Sequence, residues 1–325
     1  MKRRYTIVIL LSLVGLLVGC DGDNSLQSEA ALPGPQKTAS MTLSIYTGSN
    51  VSRTVDLPGD PGTSPEMPGT IRNIHLFMWI EPLNGDPAYM DHLYIEVPDS
   101  TVYYVFQGIV MPESTASFYA IVNAGVHNEW DALTTVGEVL ALTTIATPSR
   151  DLFAGQLLNL AVTKEQHSGL IEAGLVAAKV DVLYNIGTAI TNYNAKPGVQ
   201  KPNGDCVSAK VVSLQLKNVP REGYFFDVRS NTPDPSHTIN LSGNSAPGQA
   251  AWINGRYDCY LYDSGSLDLS LVVQSTYADG YEKNTTYNVH IDTPQDLTVA
   301  PYYLLRFDVV GFSQTEYNYR WTTSI

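Results

Sequence analysis

The residues able to do chemistry are few and scattered. Six histidines, His75, His92, His127, His167, His237 and His290, stand singly along the chain. None has an HExxH or HxxxH partner of the kind that sets two ligands on one helix face. A lone histidine on a strand, as at His75 or His290, is expected to be hydrogen-bonded or exposed rather than metal-bound. Asp258 and Asp263 flank a tyrosine-rich strand, and a glycosidase needs two carboxylates across a cleft. With 32 acidic residues in the chain, however, such neighbours arise by number alone. Asp227, Asp234, Asp258 and Asp279 could serve as loop calcium ligands, but without EF-hand spacing. There is no GxSxG elbow, no phosphate loop and no GxGxxG. These absences point away from an enzyme, and no cofactor or metal is expected.

The three cysteines are more informative. Cys20 closes a segment laid out as an export signal: basic Met1-Lys-Arg-Arg4, an almost unbroken apolar stretch Ile7 to Val18, then Leu17-Val18-Gly19 before the thiol. The apolar run is too short for a stable transmembrane span. A thiol just after such small residues resembles the bacterial lipoprotein processing box, in which the cysteine sulfur takes a diacylglycerol thioether and becomes the new N-terminus. Residues 1–19 are then a signal peptide, and several acyl chains hold the mature protein on a membrane. An ordinary secretory signal with an incidental cysteine is the alternative. Export also makes a Cys206–Cys259 disulfide available. Closing a loop of roughly 50 residues, it would stabilise by about 3–4 kcal/mol. Two buried free thiols fit the sequence equally well.

The elements that would carry these residues read as strands. The chain has 325 residues, enough for two domains. Its 44% apolar and 16% charged residues exclude wholesale disorder. A formal charge of −13 has the wrong sign for a generic nucleic-acid binder, so no nucleic-acid partner is expected. The 20 tyrosines, 25 glycines and 19 prolines favour strands and turns. Residues 20–40 are polar and aperiodic and read as a flexible tether. Short alternating runs follow at Thr42–Tyr46, Ile71–Ile80, Leu93–Val97, Val102–Phe106 and Ser117–Val122. Trp130, Leu133, Val136, Val139 and Leu140 predict one helix capped by Asn128. Strands resume at Val176–Tyr184, Ala209–Leu216, Leu267–Val273, Thr286–Ile291 and Tyr303–Val310. The expected fold is therefore all-β, two antiparallel β-sandwich domains (41–167 and 168–325) with at most one or two short helices. At the C-terminus Tyr317, Tyr319, Trp321, Thr323 and Ile325 alternate with Asn318, Arg320, Thr322 and Ser324, which gives one strand an aromatic face. That strand either donates its face to another molecule or closes its own sandwich.

Three stretches, in this order, resemble the fimbrillin superfamily of Bacteroidales pilus (type V) subunits. The first is Met41-Thr-Leu-Ser-Ile-Tyr-Thr-Gly-Ser-Asn-Val-Ser-Arg53, a first strand followed by a polar loop with an arginine. The second is Phe118-Tyr-Ala-Ile-Val-Asn-Ala124, a strand ending in an Asn-Ala turn. The third is Leu175-Val-Ala-Ala-Lys-Val-Asp-Val182, the strand near the start of the second half. The third departs from the family pattern, with Glu172-Ala173-Gly174 where an arginine usually stands just upstream. The resemblance implies outer-membrane lipoproteins built from two transthyretin-like sandwiches. It also implies, for stalk subunits, cleavage after the loop arginine, here the Arg53–Thr54 bond. The first strand then leaves a groove that a neighbour's strand fills. Anchoring subunits keep that strand and their lipid.

Two functions follow as expectations. One is a structural or anchoring subunit of a cell-surface fimbrium, partnered by other pilus subunits and by the outer membrane through its lipid. The other is a surface-exposed glycan-binding or adhesive lipoprotein that does not polymerise, with host or bacterial surface ligands as partners. Both need the same fold, so fold alone does not separate them.

Overall fold

The computed structural model describes residues 38–47, 69–163, 167–198, 200–227, 231–241, 254–292 and 302–324, all within one compact unit, Lys37–Ile325. The signal peptide, Cys20, Arg53, Thr54 and Ile325 lie outside the described residues.

Strands β1 (Thr38–Tyr46), β2 (Ile71–Pro82), β3 (Tyr89–Thr101), β4 (Tyr103–Pro112) and β5 (Ser114–Val122) run in succession. A 3-10 turn (Asn128–Ala132) and helix α1 (Val136–Leu140) precede β6 (Thr143–Thr144), β7 (Phe153–Val162), β8 (His167–Glu172) and β9 (Gly174–Leu175). Then come β10 (Ala178–Asn185), helix α2 (Gly187–Ala195), β11 (Cys206–Lys217), β12 (Gly223–Tyr224) and β13 (Thr238–Asn240). The chain finishes with β14 (Asn254–Leu261), β15 (Ser266–Tyr277), β16 (Glu282–Asp292), β17 (Tyr302–Val309) and β18 (Tyr317–Ser324).

The fold is all-β and sandwich-type, as the alternation predicts. A three-stranded sheet ordered β4-β1-β8 faces a five-stranded sheet ordered β3-β2-β5-β7-β9. Between them lies a core of Met41, Leu43, Ile45, Ile74, Leu76, Phe118 and their neighbours. Two four-stranded sheets, β14-β10-β17-β18 and β13-β11-β15-β16, enclose a second core around Val180, Val182, Leu271, Tyr287 and Phe307. Among the described residues only the two-residue pair β6–β12 joins strands from the two halves. Strand β8, which spans the expected boundary at 167/168, pairs in parallel with β1. Strand pairing passes from the first set of sheets to the second between Leu175 and Ala178.

A third apolar cluster lies on the outer face of β2 and β5, where Phe77, Tyr119, Ile121 and Trp130 meet Phe225 and Tyr262. It ties the two halves together, and the Tyr262 hydroxyl donates across it to the Ala146 carbonyl at 2.7 Å. The single helix expected after Asn128 is two pieces. Leu133 is extended (φ −69, ψ 133) and ends the 3-10 turn. A new start follows at Thr135, whose hydroxyl accepts from the Glu138 N–H while the Glu138 carboxylate accepts from the Thr135 N–H. This reciprocal cap outcompetes continuation of the first turn.

Candidate functional site

The site with the most explicit construction is the slot that holds β1. Period two sends Ala39, Met41, Leu43 and Ile45 inward, and the last three are completely buried. Each such side chain contributes about 1.5–3 kcal/mol by leaving water. Both edges of the strand are hydrogen-bonded, antiparallel to β4 and parallel to β8. Two details fit the slot to this strand. Gln107 and Gly108 of β4 stand opposite Thr42 alone, a bulge made possible by Gly108 at φ +66. Gly169 of β8 is paired with Leu43, and a Cβ there would come within 2.5 Å of Leu157 and 3.2 Å of Leu43. A side chain there would require the ends of both leucines to shift.

The chain leaves β1 at Thr47 and returns at Gly69, and these two points are tied. The Thr47 hydroxyl donates to the Gly69 carbonyl at 2.6 Å, while its N–H donates to Val102 at 3.1 Å. Arg53 and Thr54 belong to the connection between the tied ends. At the same end of β2, where the strand begins, the Asn-Ala turn of the sequence motif has a defined role. Asn123 adopts φ +68, and its side-chain oxygen accepts from the Arg72 N–H at 2.7 Å. Its amide donates to the Thr70 and Asp151 carbonyls at 2.8 and 2.6 Å. One residue thereby clasps β2 and the segment before β7, and aims the chain into the 3-10 turn.

The C-terminal segment is placed in the sheet of its own chain. β18 pairs antiparallel with β17 and forms the edge of that sheet. Tyr317 stacks on Phe307 at 5.0 Å and donates its hydroxyl to the Asn288 carbonyl at 2.9 Å. Trp321 is half-buried against the second core, whereas Tyr319 remains 42% exposed. Thr323 is paired with Tyr303 along the backbone. Upstream, Phe312 is buried, and its carbonyl accepts from Lys283 at 3.1 Å. Residues 313–315 between this anchor and β18 are exposed.

Cys206 begins β11 and Cys259 lies in β14, on the two facing sheets of the second half. They are not joined to each other. Burial pushes the Cys206 thiol upward in pKa, and its sulfur donates to the Ser208 carbonyl. Three of the histidines read singly from sequence are brought together: His75, His92 and His127 gather beside Trp130 and Asp131. Sequence spacing could not reveal this, because β2, β3 and the 3-10 turn supply one or two members each. Among the described residues no group of three or more His, Cys, Asp or Glu is placed to hold a metal, and no helix is long and apolar enough to cross a membrane.

No protein-family model and no curated protein matches the sequence. Solved structures do match the fold. A candidate cell adhesion protein from Parabacteroides distasonis superposes with a TM-score of 0.58 at 11% identity, covering 88% of this chain and 96% of its own. A second, from Bacteroides eggerthii, gives 0.52 at 11% identity over 89% and 96%. The tip fimbrial protein Mfa3 from Porphyromonas gingivalis, with C-terminal truncation, gives 0.49 at 10% identity over 88% and 99%. At such identities the likeness is one of fold. The sandwich fold is thus shared with these proteins from Parabacteroides distasonis and Bacteroides eggerthii.

Proposed function

We propose that the protein is a structural or anchoring subunit of a cell-surface fimbrium, exported as a lipoprotein through Cys20 and assembled by strand exchange. The observation that carries this reading is β1 itself. It is a single strand at the centre of its sheet, with every inward side chain buried, followed by a connection whose two ends are tied at Thr47 and Gly69. Cutting at Arg53–Thr54 would leave β1 held by non-covalent contacts alone. Its departure would expose the unpaired edges of β4 and β8 above an apolar trough, which another extended strand can fill with the same backbone bonds. If Arg53 stays uncut, the slot stays filled and the subunit can end a polymer at the membrane. β18, which reaches its sheet past the exposed residues 313–315, is the proposed donor.

The experiment is cleavage after Arg53 in the folded protein, followed by sizing and electron microscopy with the full-length chain added. Strand exchange predicts a Thr54 N-terminus and growth of linear oligomers. A cleaved protein that stays monomeric and keeps β1 would overturn the exchange reading. For the lipid anchor, Cys20→Ser should release the protein from the outer-membrane fraction, and retention at normal mass would refute it.

One observation favours the second reading, a glycan-binding surface lipoprotein. A cavity of about 270 Å³ is lined by Tyr193, Tyr277, Tyr281 and Phe312 with Lys283 and Glu316 at its rim. Aromatic faces with a few polar groups suit a sugar ring. Binding to a glycan array that is lost in Tyr281→Ala, with no polymerisation after cleavage, would favour this reading over the first.

A further inference from the structure

The gathering of His75, His92 and Asp131 permits a count of protons. His75 projects from β2 and is buried, at 1% exposure. Its Nε2 lies 2.7 Å from the Gly125 carbonyl. A carbonyl can only accept, so that nitrogen bears a hydrogen. His92 projects from β3, and its side chain is 6% exposed. Its Nδ1 lies 2.8 Å from Asp131 Oδ1, and a carboxylate likewise only accepts. The remaining nitrogens, His75 Nδ1 and His92 Nε2, meet at 3.0 Å and need one hydrogen between them. Three hydrogens on four ring nitrogens make one of the two rings an imidazolium. Asp131 is 73% exposed at its side chain, and as a carboxylate it accepts rather than supplies the proton, which places the extra hydrogen on the rings.

We infer that the His75–His92 pair holds one shared excess proton, balanced by the Asp131 carboxylate, and that this proton latches the 124–132 segment onto β2 and β3. The latch reaches the seam between the two halves. Trp130 packs edge-on to His75 at 4.5 Å, stacks on His127 at 4.0 Å and meets Phe225 at 5.8 Å. Without the proton, either two lone pairs face each other at 3.0 Å or, in the other His92 tautomer, a lone pair faces the Asp131 carboxylate, so one of the two contacts opens. With a second, two cations share one buried contact, and it opens again.

The groups facing the pair set the limits. Tyr94 of β3 lies 4.7 Å from His75, ring to ring. His127 lies 5.8 Å away and is itself paired with Glu129 at 2.7 Å. Burial lowers His75 from 6.5 to about 4; the bond to the Gly125 carbonyl opposes it, His92 and His127 add to the lowering, and Asp131 opposes it least. A group whose folded pKa is depressed resists protonation only in the fold. The second proton therefore costs stability progressively as pH falls from the unfolded value of 6.5 through about 4.

The test is long-range proton–nitrogen NMR of histidine-labelled full-length protein, with signals assigned through His75→Gln and His92→Gln. The latch predicts, at neutral pH, one ring of the pair with both nitrogens protonated and His75 Nε2 bearing hydrogen. Two singly protonated neutral rings would overturn it. Should the histidine variants misfold, Asp131→Asn, at an exposed position, gives an independent reading. Loss of the balancing charge should weaken the pair's hold on its proton, seen as a loss of the doubly protonated ring signal at neutral pH. An unchanged doubly protonated signal in that variant would equally refute the proposal.

Discussion

β1 and β18 are both short strands with an apolar face, but the structure holds them differently. β1 has partners on both edges and three completely buried side chains. β18 has one partner strand and a face that is half-buried at Tyr317 and Trp321 and open at Tyr319. A central strand that fills a slot is a structural necessity for its own sandwich. An edge strand is a removable cover. In the exchange reading the two roles are complementary: the slot is the acceptor and the edge strand the donor. The difference teaches that, were strands exchanged, β1 would have to give up partners on two edges and β18 on one alone.

The largest expected effect comes from breaking β1. Leu43→Asp places a carboxylate at a fully buried position beside Gly169. We expect loss of the cooperative melt, since even Leu→Ala at such sites costs about 2–5 kcal/mol. An added peptide of residues 38–47 should restore folding in trans if the slot is a true acceptor. A stable Leu43→Asp protein would show that the slot tolerates vacancy and would end the comparison.

Next in size is deletion of residues 313–325. It removes Tyr317 and Trp321 from the second core but retains the Phe312 anchor. Half-burial of those two rings is worth on the order of 1–1.5 kcal/mol each before ordering entropy is subtracted. The truncated chain should still fold, melt several degrees lower and fail to join oligomers. Unfolding or aggregation would instead make β18 indispensable to its own sheet and unfit to be a donor.

A smaller effect is expected at Gly169. Gly169→Val would drive a side chain into Leu157 and Leu43, with a cost of about 1–3 kcal/mol, measurable by denaturant titration. If the slot is plastic, stability will not change, and the tight fit between glycine and leucine is not what selects β1.

How far these features were legible depends on how local they are. Thr42–Tyr46 announces β1 through strict alternation, and only its first residues, Thr38 to Met41, escaped because Ala39 and Ser40 carry little apolar contrast. β2, β5, β15 and β16 were equally plain. β7 was not, because Gly155, Gln156 and Asn159 interrupt its period. Asn159 sits at φ +55 where the pairing with β5 slips, its N–H held by the Ser117 hydroxyl at 3.0 Å. β8 and β14 are polar strands whose pairing comes from distant partners, β1 and β10. The histidine gathering has no local signature at all. It exists because β2 and β3 form a hairpin and Asn123 turns the chain back over it.

The smallest expected change in stability carries the sharpest comparison. Tyr319 is 42% exposed while β18 lies on its own sheet, so Tyr319→Ser should alter stability by no more than about 0.5 kcal/mol. Its neighbours on the same face behave otherwise: Tyr317→Phe loses the bond to the Asn288 carbonyl and should cost about 0.5–1.5 kcal/mol. In an acceptor slot shaped like that of β1, however, every second side chain is buried. A donated β18 would bury Tyr319 there, and its loss would weaken assembly by an amount absent from the monomer's melt. Paired thermal melts and oligomer dissociation measurements on Tyr319→Ser separate the two. An unchanged melt with weaker oligomers supports donation, whereas unchanged values in both place β18 permanently at the edge of its own sandwich.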